Sequence, residues 1–207
     1  MNELINKIET LKNSDIAKSV EQKIKIFKNI NKKSNDELFK EICFCILTAN
    51  YNAEKCIKIQ NEIGECFLTD SKKEISEKLR DYGHRFPNAR AEYIFESLKC
   101  KDKLEEIIQI TNKKALRDWI VDNIKGLGYK EASHFLRNVG FDDYAIIDFH
   151  IIDILTDYDL IKKPKTITKK KYFEIENLLK TLAKKTNLTL AELDLYLWYL
   201  ETGKILK

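Results

Sequence analysis

The scarcity of turn-forming residues constrains this chain more than any other feature of its sequence. Among 207 residues there are only 6 glycines and 2 prolines, Pro87 and Pro164. Antiparallel β-folds need a turn residue about every ten positions, so this composition argues against an all-β architecture. It also excludes collagen-like and low-complexity chains. Because 43% of the residues are hydrophobic, the chain can bury a proper core, and wholesale disorder is excluded as well.

Apolar residues recur with helical spacing along nearly the whole chain, and no segment shows a convincing strand pattern. Ser34–Glu37 and Ser71–Glu74 each match a capping box, and the first of these opens a helix. Further helices are predicted at approximately 2–11, 15–30, 52–67, 88–99, 102–110, 113–124, 129–139, 149–158, 168–186 and 189–201. The sequence therefore predicts an all-α fold.

The length fits one ordinary domain or two small lobes that share an interface. We expect a single unit of two helical lobes, with a middle lobe at about 34–140 and a second lobe made from 1–33 and 141–207. The longest apolar run, 42–47, is too short to cross a bilayer, and no signal-peptide pattern follows the first residue. We therefore expect an intracellular protein that does not associate with membranes.

The charge balance permits nucleic-acid binding without requiring it. There are 37 basic and 33 acidic residues, which leaves a net charge of only +4. A basic stretch near the C-terminal end either contacts phosphates or is simply solvated, and the sequence leaves both interpretations open. Its members are Lys163, Lys165, Lys169, Lys170 and Lys171.

The five cysteines are odd in number and contain no Cys-x-x-Cys pair. They are Cys43, Cys45, Cys56, Cys66 and Cys100, so the last 107 residues contain none. Without a secretion signal, free buried thiols are the expected state.

The most informative segment is the turn at 124–132, between two predicted helices. Gly126 and Gly128 flank Leu127, which permits a sharp turn and a close approach of the backbone to a ligand, and Leu127 is expected to pack into the core. The amides at 126–129 are expected to point outward from a helix N-terminus, where an anion binds favourably. Gly126, Gly128 and Lys125 are therefore candidate phosphate contacts. The alternative is an ordinary connection between two helices.

Two further residues extend this pattern toward catalysis. Lys130 falls in the first turn of the second helix, where the helix dipole favours the neutral, nucleophilic amine. Lys130, His134 and Arg137 are expected on the helix face away from the core. Eighteen residues on, Asp148 is predicted to cap another helix, which would fix the position of its carboxylate. The alternatives are a solvated lysine and an aspartate that only caps.

The segment Gly126–Ala132, followed by the aspartate of Ile147-Asp148-Phe149-His150, resembles the helix-hairpin-helix DNA glycosylase superfamily. The chain is most similar to the archaeal-type 8-oxoguanine DNA glycosylase/AP lyase family. That similarity covers essentially the whole chain and includes Cys43–Asn50, Gly83–Phe86, Lys130–Gly140, Leu193–Leu200 and the end at Thr202–Lys207.

The resemblance implies a two-lobed helical fold with a DNA-binding cleft between the lobes and a helix-hairpin-helix at 113–139. It implies a bifunctional enzyme that excises 8-oxoguanine through a Schiff base on Lys130 and cleaves the strand by β-elimination, with Asp148 as its partner. Many superfamily members hold an iron–sulfur cluster on four later cysteines, and their absence here excludes that subgroup. No metal and no other cofactor is expected.

The resemblance also implies the remaining contacts. Lys207 would offer its terminal carboxylate to the damaged base, and Trp198 would line the pocket, unless it only packs in the core. Arg85, Phe86 and Asn50 would contact the gap or the opposite strand, although core packing or loop capping explains them equally well.

The expected partner is double-stranded DNA containing 8-oxoguanine or an abasic site, bound by a monomer associated with the nucleoid of a prokaryotic cytoplasm. The alternatives are a glycosylase for another lesion or mismatch and a non-catalytic DNA-binding hairpin module.

Overall fold

The computed structural model of the chain describes residues 1–30 and 32–207, and within them all regular structure is helical. The α-helices in chain order are α1 (Asn2–Lys12), α2 (Ile16–Ile30), α3 (Asn35–Thr48), α4 (Ala53–Ile63), α5 (Cys66–Thr69), α6 (Lys72–Asp81), α7 (Pro87–Ser97), α8 (Leu104–Ile107), α9 (Lys113–Asn123), α10 (Tyr129–Asn138), α11 (Phe149–Asp157), α12 (Lys169–Lys185) and α13 (Leu190–Thr202). A 3₁₀ helix, Leu98–Lys103, precedes α8. The all-α prediction is confirmed.

Two predicted helices are wrong in extent. The predicted helix at 52–67 is divided after Ile63, where the backbone changes to tighter turns: the amide of Phe67 donates to the carbonyl of Gly64 at 3.3 Å. The predicted helix at 102–110 contains only the short α8, because the residues before it form the 3₁₀ helix. Apolar spacing does not distinguish these tighter turns from an α-helix.

One of the two predicted capping boxes forms. Ser71 and Glu74 exchange both hydrogen bonds at the start of α6. The box at Ser34 is wrong, because Ser34 precedes α3 without a side-chain cap hydrogen bond. Its expected partner, Glu37, instead pairs with Lys40 at 2.5 Å, and that ion pair removes the carboxylate from the cap.

The chain divides into two compact units by its internal contacts. We call residues 30–139 the middle unit and residues 1–29 with 140–207 the terminal unit. The predicted lobe boundaries, 34–140 against both termini, stay a prediction. No helix of the described residues is long and apolar enough to cross a membrane.

Each unit has its own core. In the middle unit α3 is central: it is buried from Leu38 to Thr48 except at Lys40, and it contacts α4, α7, α8 and α10. In the terminal unit α13 contacts α1, α11 and α12. Val20, Phe27, Leu195 and Tyr196 form one apolar cluster there.

The cysteines contribute to the middle unit's interior. All five are free thiols, and all except Cys66 are buried, which confirms the prediction for those four. Cys66 is partly exposed, and its sulfur accepts a hydrogen bond from the Lys78 amine at 2.9 Å.

Candidate active site and nucleic-acid interface

The hairpin between α9 and α10 depends on one glycine for its backbone shape. Gly126 has a φ of +89°, and a Cβ there would lie 2.4 Å from the ring of Tyr93. Leu127 is 4% exposed, which confirms that it packs into the core. Gly128 is extended, with φ −90° and ψ −171°, a conformation open to any residue. Only Gly126 is therefore required by conformation.

The hairpin satisfies part of its own backbone. The amide of Leu127 donates to the Ile124 carbonyl at 3.2 Å, and the amide of Gly128 donates to Glu131 Oε2 at 3.3 Å. The prediction that all amides at 126–129 point outward is therefore wrong for these two. A capping box normally has two hydrogen bonds, but glycine has no side chain to accept one of them. Only the bond from the cap amide to Glu131 therefore forms.

Lys130 lies in the first turn of α10 with its side chain 23% exposed. Its Nζ is 3.7 Å from Glu131 Oε1. Lys130 and Arg90 of α7 both interact electrostatically with the thiol of Cys56 in α4. Burial nevertheless raises the pKa of the Cys56 thiol to about 12, so the thiol is neutral at physiological pH. The amine is thus placed among one carboxylate, one buried guanidinium and one neutral thiol.

The rest of α10 does not present a basic face. His134 and Arg137 are only 6% and 4% exposed, so the prediction that they lie on the outer face with Lys130 is wrong. The ring of His134 packs edge-on against Phe44 of α3, with 5.6 Å between the ring centres. The helix contacts both α3 and α9, which bury more than one of its faces. Gly140, with a φ of +93°, follows its end.

Asp148 is in the terminal unit, where it caps α11. Its Oδ1 accepts the Ile151 amide at 3.0 Å, which confirms the predicted cap. Since the amide holds one carboxylate oxygen, the position of the group is fixed before any ligand binds.

An aromatic cluster adjoins this cap, and sequence reasoning missed most of it. The His150 ring meets Phe149 at 3.9 Å and Trp198 of α13 at 4.6 Å between ring centres. His150 Nδ1 is 3.6 Å from Glu201 Oε1. Phe149 is 67% exposed, although it is apolar and sits in the first helical turn. An apolar residue directly after a capping aspartate is the only sequence signal that could have identified it.

Trp198 occupies an intermediate position in this cluster. It is partly exposed, while its Nε1 is buried without a hydrogen-bond partner among the described residues. Lys207, the other residue expected at a base pocket, is also partly exposed and belongs to the same unit.

In the middle unit, the structure brings together two loops that the sequence separates by more than thirty residues. Asn50 is exposed with a φ of +57°, Arg85 is exposed and Phe86 is half-buried. His84 joins their loops: its Nε2 is 3.0 Å from the Leu47 carbonyl, and its Nδ1 accepts the Phe86 amide at 3.1 Å. The candidate DNA contacts at 50 and 85–86 therefore form one surface.

Two other side chains reinforce this junction. The Tyr51 ring packs on His84 at 4.2 Å, and its hydroxyl donates to the Gly83 carbonyl at 2.7 Å. Arg90 donates to the Ala49 carbonyl and lies 5.5 Å from the Phe86 ring centre. Burial lowers the pKa of His84, which favours the neutral ring that can accept the amide. Sequence reasoning missed His84 as the residue that joins the loops.

The remaining predicted contacts are less exposed to a ligand than their sequence suggested. The Lys125 ammonium is bound by Glu92 and Glu96, at 2.8 and 2.9 Å, and these hydrogen bonds raise its pKa. Asn52, which follows Asn50 closely in the same loop, caps α4 by accepting the Lys55 amide at 2.9 Å.

The basic stretch is mostly solvated. Within it, Lys163 pairs with Asp153, and Lys171 pairs with Glu174 at 3.2 Å. No group of three or more His, Cys, Asp or Glu side chains within residues 1–30 and 32–207 is arranged to hold a metal ion.

These features define the class of protein as an all-helical, helix-hairpin-helix DNA-binding fold. The family model described as 8-oxoguanine DNA glycosylase matches residues 20–188. The chain is 54% identical over 205 residues to the 8-oxoguanine DNA glycosylase/AP lyase of Methanocaldococcus jannaschii, covering 99% of each chain. It is 44% identical to that of Korarchaeum cryptofilum, covering 100% of this chain and 99% of the other.

Solved structures agree with this assignment. The Methanocaldococcus jannaschii enzyme in complex with a 15mer DNA containing 8-oxoguanine has a TM-score of 0.97 and 53% identity, over 99% of this chain and 100% of that one. The Thermotoga maritima 8-oxoguanine DNA glycosylase has a TM-score of 0.94 and 40% identity, over 100% and 99%. This chain belongs to the 8-oxoguanine DNA glycosylase family.

Proposed function

We propose that this chain is a bifunctional DNA repair enzyme that excises 8-oxoguanine and then cleaves the strand at the resulting abasic site. The observation that carries the proposal is the placement of Lys130, a partly buried amine in the first turn of α10 directly after the hairpin. A relative with 53% identity was crystallised on DNA containing 8-oxoguanine, which supports DNA carrying this lesion as the substrate.

Lys130 is the nucleophile in this proposal. The damaged base leaves the duplex stack, because C1′ is otherwise unreachable. The neutral amine forms a bond to C1′, and the glycosidic bond breaks with its electron pair on the base. Opening of the sugar ring gives a Schiff base between Lys130 and C1′. Loss of a proton from C2′ then breaks the C3′–O bond, which cuts the strand on the 3′ side of the site and releases the downstream fragment with a 5′ phosphate.

Asp148 supplies negative charge to the same reaction. Its carboxylate is pinned by the Ile151 amide at 3.0 Å, so it need not reorganise as positive charge develops on the sugar. We assign it two roles, stabilising that cationic character and accepting or returning a proton. No cofactor is needed for either role.

The hairpin binds backbone phosphate. Gly126 shapes the turn, and the start of α10 at Gly128 presents the positive end of a helix dipole to an anion. Lys125 belongs to the same contact only if a phosphate displaces it from Glu92 and Glu96.

Recognition of the lesion rests on one changed hydrogen bond. Oxidation converts N7 of guanine from an acceptor into an N–H donor, and we assign a main-chain oxygen of Lys207 as its acceptor. A wrongly paired buried group costs about 1–3 kcal/mol, enough for useful discrimination. Trp198 supports a base contact here, because its buried Nε1 has no partner within the described residues.

Deletion of Lys207 tests this pocket. Excision of 8-oxoguanine should fall more than cleavage of DNA that already carries an abasic site, because only the first reaction requires the base to be recognised. Equal losses in both reactions would refute the assignment.

Asn50, Arg85 and Phe86 form the proposed contact to the gap left by the base and to the opposite strand. Support comes from their common surface, joined by His84, and from the Arg85 guanidinium lying 4.9 Å from the Phe86 ring centre. A half-buried aromatic ring beside an exposed cation suits insertion into an unstacked duplex.

The decisive experiment replaces Lys130 with Gln. Base excision and the borohydride-trapped DNA adduct should both disappear. Lys73→Gln is the matched control, since it removes one positive charge from a side chain that is 85% exposed, and it should leave both reactions intact. The proposal is falsified if Lys130→Gln retains excision and the trapped adduct, which would leave a non-catalytic binding module.

A panel of duplexes carrying different lesions and mismatches separates 8-oxoguanine from the other glycosylase substrates. We further propose that the protein acts as a monomer on nucleoid DNA. Light scattering with and without a lesion duplex tests the oligomeric state, and a fluorescent fusion in cells tests the location.

A further inference from the structure

Glu131 bridges the hairpin turn and the lysine of α10. Its Oε2 accepts the Gly128 amide at 3.3 Å, and its Oε1 lies 3.7 Å from Lys130 Nζ. The side chain is only 17% exposed, so water screens this pair less than a surface ion pair. One carboxylate therefore contacts both the phosphate-binding turn and the reactive amine.

The groups around Lys130 come from three helices of the middle unit. Arg90 of α7 is a buried cation that interacts with Glu131 and with Cys56. Cys56 of α4 is neutral in the acid and neutral range, since burial raises the pKa of its thiol to about 12. Arg90 keeps its charge throughout that range. Of these three groups, Glu131 alone carries a negative charge that can hold the ammonium.

We propose that Glu131 is a positioning residue for Lys130: it holds the amine beside the hairpin through Oε1 and fixes the hairpin turn through Oε2. The inference rests on the proposed nucleophilic role of Lys130. Holding the amine in one place shortens its search for C1′, so the contact should favour the chemical step more than the affinity for DNA.

Glu131→Gln separates the two contacts. Glutamine also serves at this position of a capping box, so the Gly128 contact persists while the charge is removed. The kcat for cleavage of abasic-site DNA should fall roughly tenfold, because the amine is no longer held beside the hairpin. The KM for the DNA should stay within about twofold of the unsubstituted enzyme, because the turn is intact.

Two variants serve as references. Glu131→Ala removes the contact to Gly128 as well, so it should show the same fall in kcat together with a higher KM. Glu74→Gln makes the identical chemical change in the capping box of α6, which the reaction does not use, and should leave both kcat and KM in place.

The outcomes separate this inference from the proposed function. An unchanged kcat in Glu131→Gln, or a KM that rises as much as in Glu131→Ala, would mean that Glu131 does not position the amine, and either result would overturn the inference. A persistent trapped adduct in Lys130→Gln would instead overturn the assignment of the nucleophile. A lower kcat at unchanged KM in Glu131→Gln and no adduct in Lys130→Gln would support both.

Discussion

The two helix starts assigned to the chemistry, one in each unit, are built in opposite ways. α10 begins at Gly128, which has no side chain, so a residue one turn further on must reach back to the cap amide. α11 begins at Asp148, whose own carboxylate accepts the Ile151 amide. The first arrangement leaves room for an external anion, whereas the second fixes an internal one. In the proposed function, the same local motif therefore binds phosphate in one unit and positions a carboxylate in the other.

The surroundings of the two helix starts differ as well. α10 is packed in a unit that buries many polar side chains, among them Arg117, Ser133 and Asn138. The terminal unit buries few polar side chains among the described residues, and α11 adjoins the aromatic cluster of Phe149, His150 and Trp198. Stability in the middle unit thus depends more on specific hydrogen bonds, which are costly to break when buried.

The largest expected effect comes from Asp148→Asn. Asparagine caps a helix as well as aspartate does, so the thermal stability should be nearly unchanged. Loss of the charge should slow base excision by roughly 100-fold or more, in the range of a lost acid–base group. Single-turnover kinetics and a melting curve on the same sample measure the two quantities.

Asp148→Ala is the partner variant for that comparison. It should be equally slow and in addition lose about 1 kcal/mol of unfolding free energy, because the Ile151 amide loses its cap. If Asp148→Asn were fully active, Asp148 would be a cap alone, and the contrast between the two helix starts would reduce to stability.

The hairpin glycine should give the next largest effect. Gly126→Ala should lose about 2–3 kcal/mol of unfolding free energy, because alanine is strained at a φ of +89° and its Cβ would meet Tyr93 at 2.4 Å. Affinity for duplex DNA should weaken with it. Gly83→Ala is the control, since φ there is +71° and no atom lies within 4 Å of the added Cβ.

Chemical denaturation of both glycine variants provides the measurement. Gly83→Ala should lose less stability than Gly126→Ala, because only strain and no collision is introduced. Equal losses would mean that the Tyr93 contact is relieved at no cost, and that close packing does not constrain the hairpin.

A buried hydrogen bond of α10 tests the dependence of the middle unit on polar contacts. The Asn138 amide donates to Glu41 Oε2 at 3.1 Å, and both side chains are buried. Asn138→Ala should cost about 2 kcal/mol of unfolding free energy, since the acceptor is a carboxylate. Asn123→Ala, which removes an exposed bond of 2.9 Å to the Trp119 carbonyl, should cost less than about 0.5 kcal/mol. Similar losses in both would contradict the dependence of the middle unit on its buried hydrogen bonds.

The smallest expected effect is a pH dependence from His84. Burial lowers its pKa below the ordinary value of 6.5, so the unfolded chain binds the proton more readily than the folded one. The stability contributed by the neutral ring is therefore present above pH 6.5 and is lost as the pH falls through that value. Denaturation midpoints at neutral and mildly acid pH, compared between the unsubstituted protein and His84→Asn, measure it. An unchanged pH dependence in the variant would show that His84 does not titrate.

The local features of the site were predictable from the sequence. The start of α10 after Gly128, the Asp148 cap and the burial of Leu127 all follow from patterns within one or two helical turns. Such patterns are readable because capping and apolar periodicity act between residues close in the chain. The family resemblance also rests on short local segments, namely Gly126–Ala132 and the four residues around Asp148.

Contacts between distant residues were not predictable in the same way. Periodicity placed His134 and Arg137 on an outer face, yet α3 and α9 bury them. The sequence did not indicate that Lys125 would be bound by two glutamates of α7. His84 gave no sign that it would join the loops at 50 and 85–86.

The sequence by itself determined the all-α class, the hairpin and the two helix starts, because each depends on backbone geometry and on neighbours within a turn or two. Only the tertiary structure decided which charges are paired, which polar groups are buried and which loops share a surface. Those properties arise when helices distant in the chain pack together, and the energy of a charge or a hydrogen bond depends on what that packing places around it.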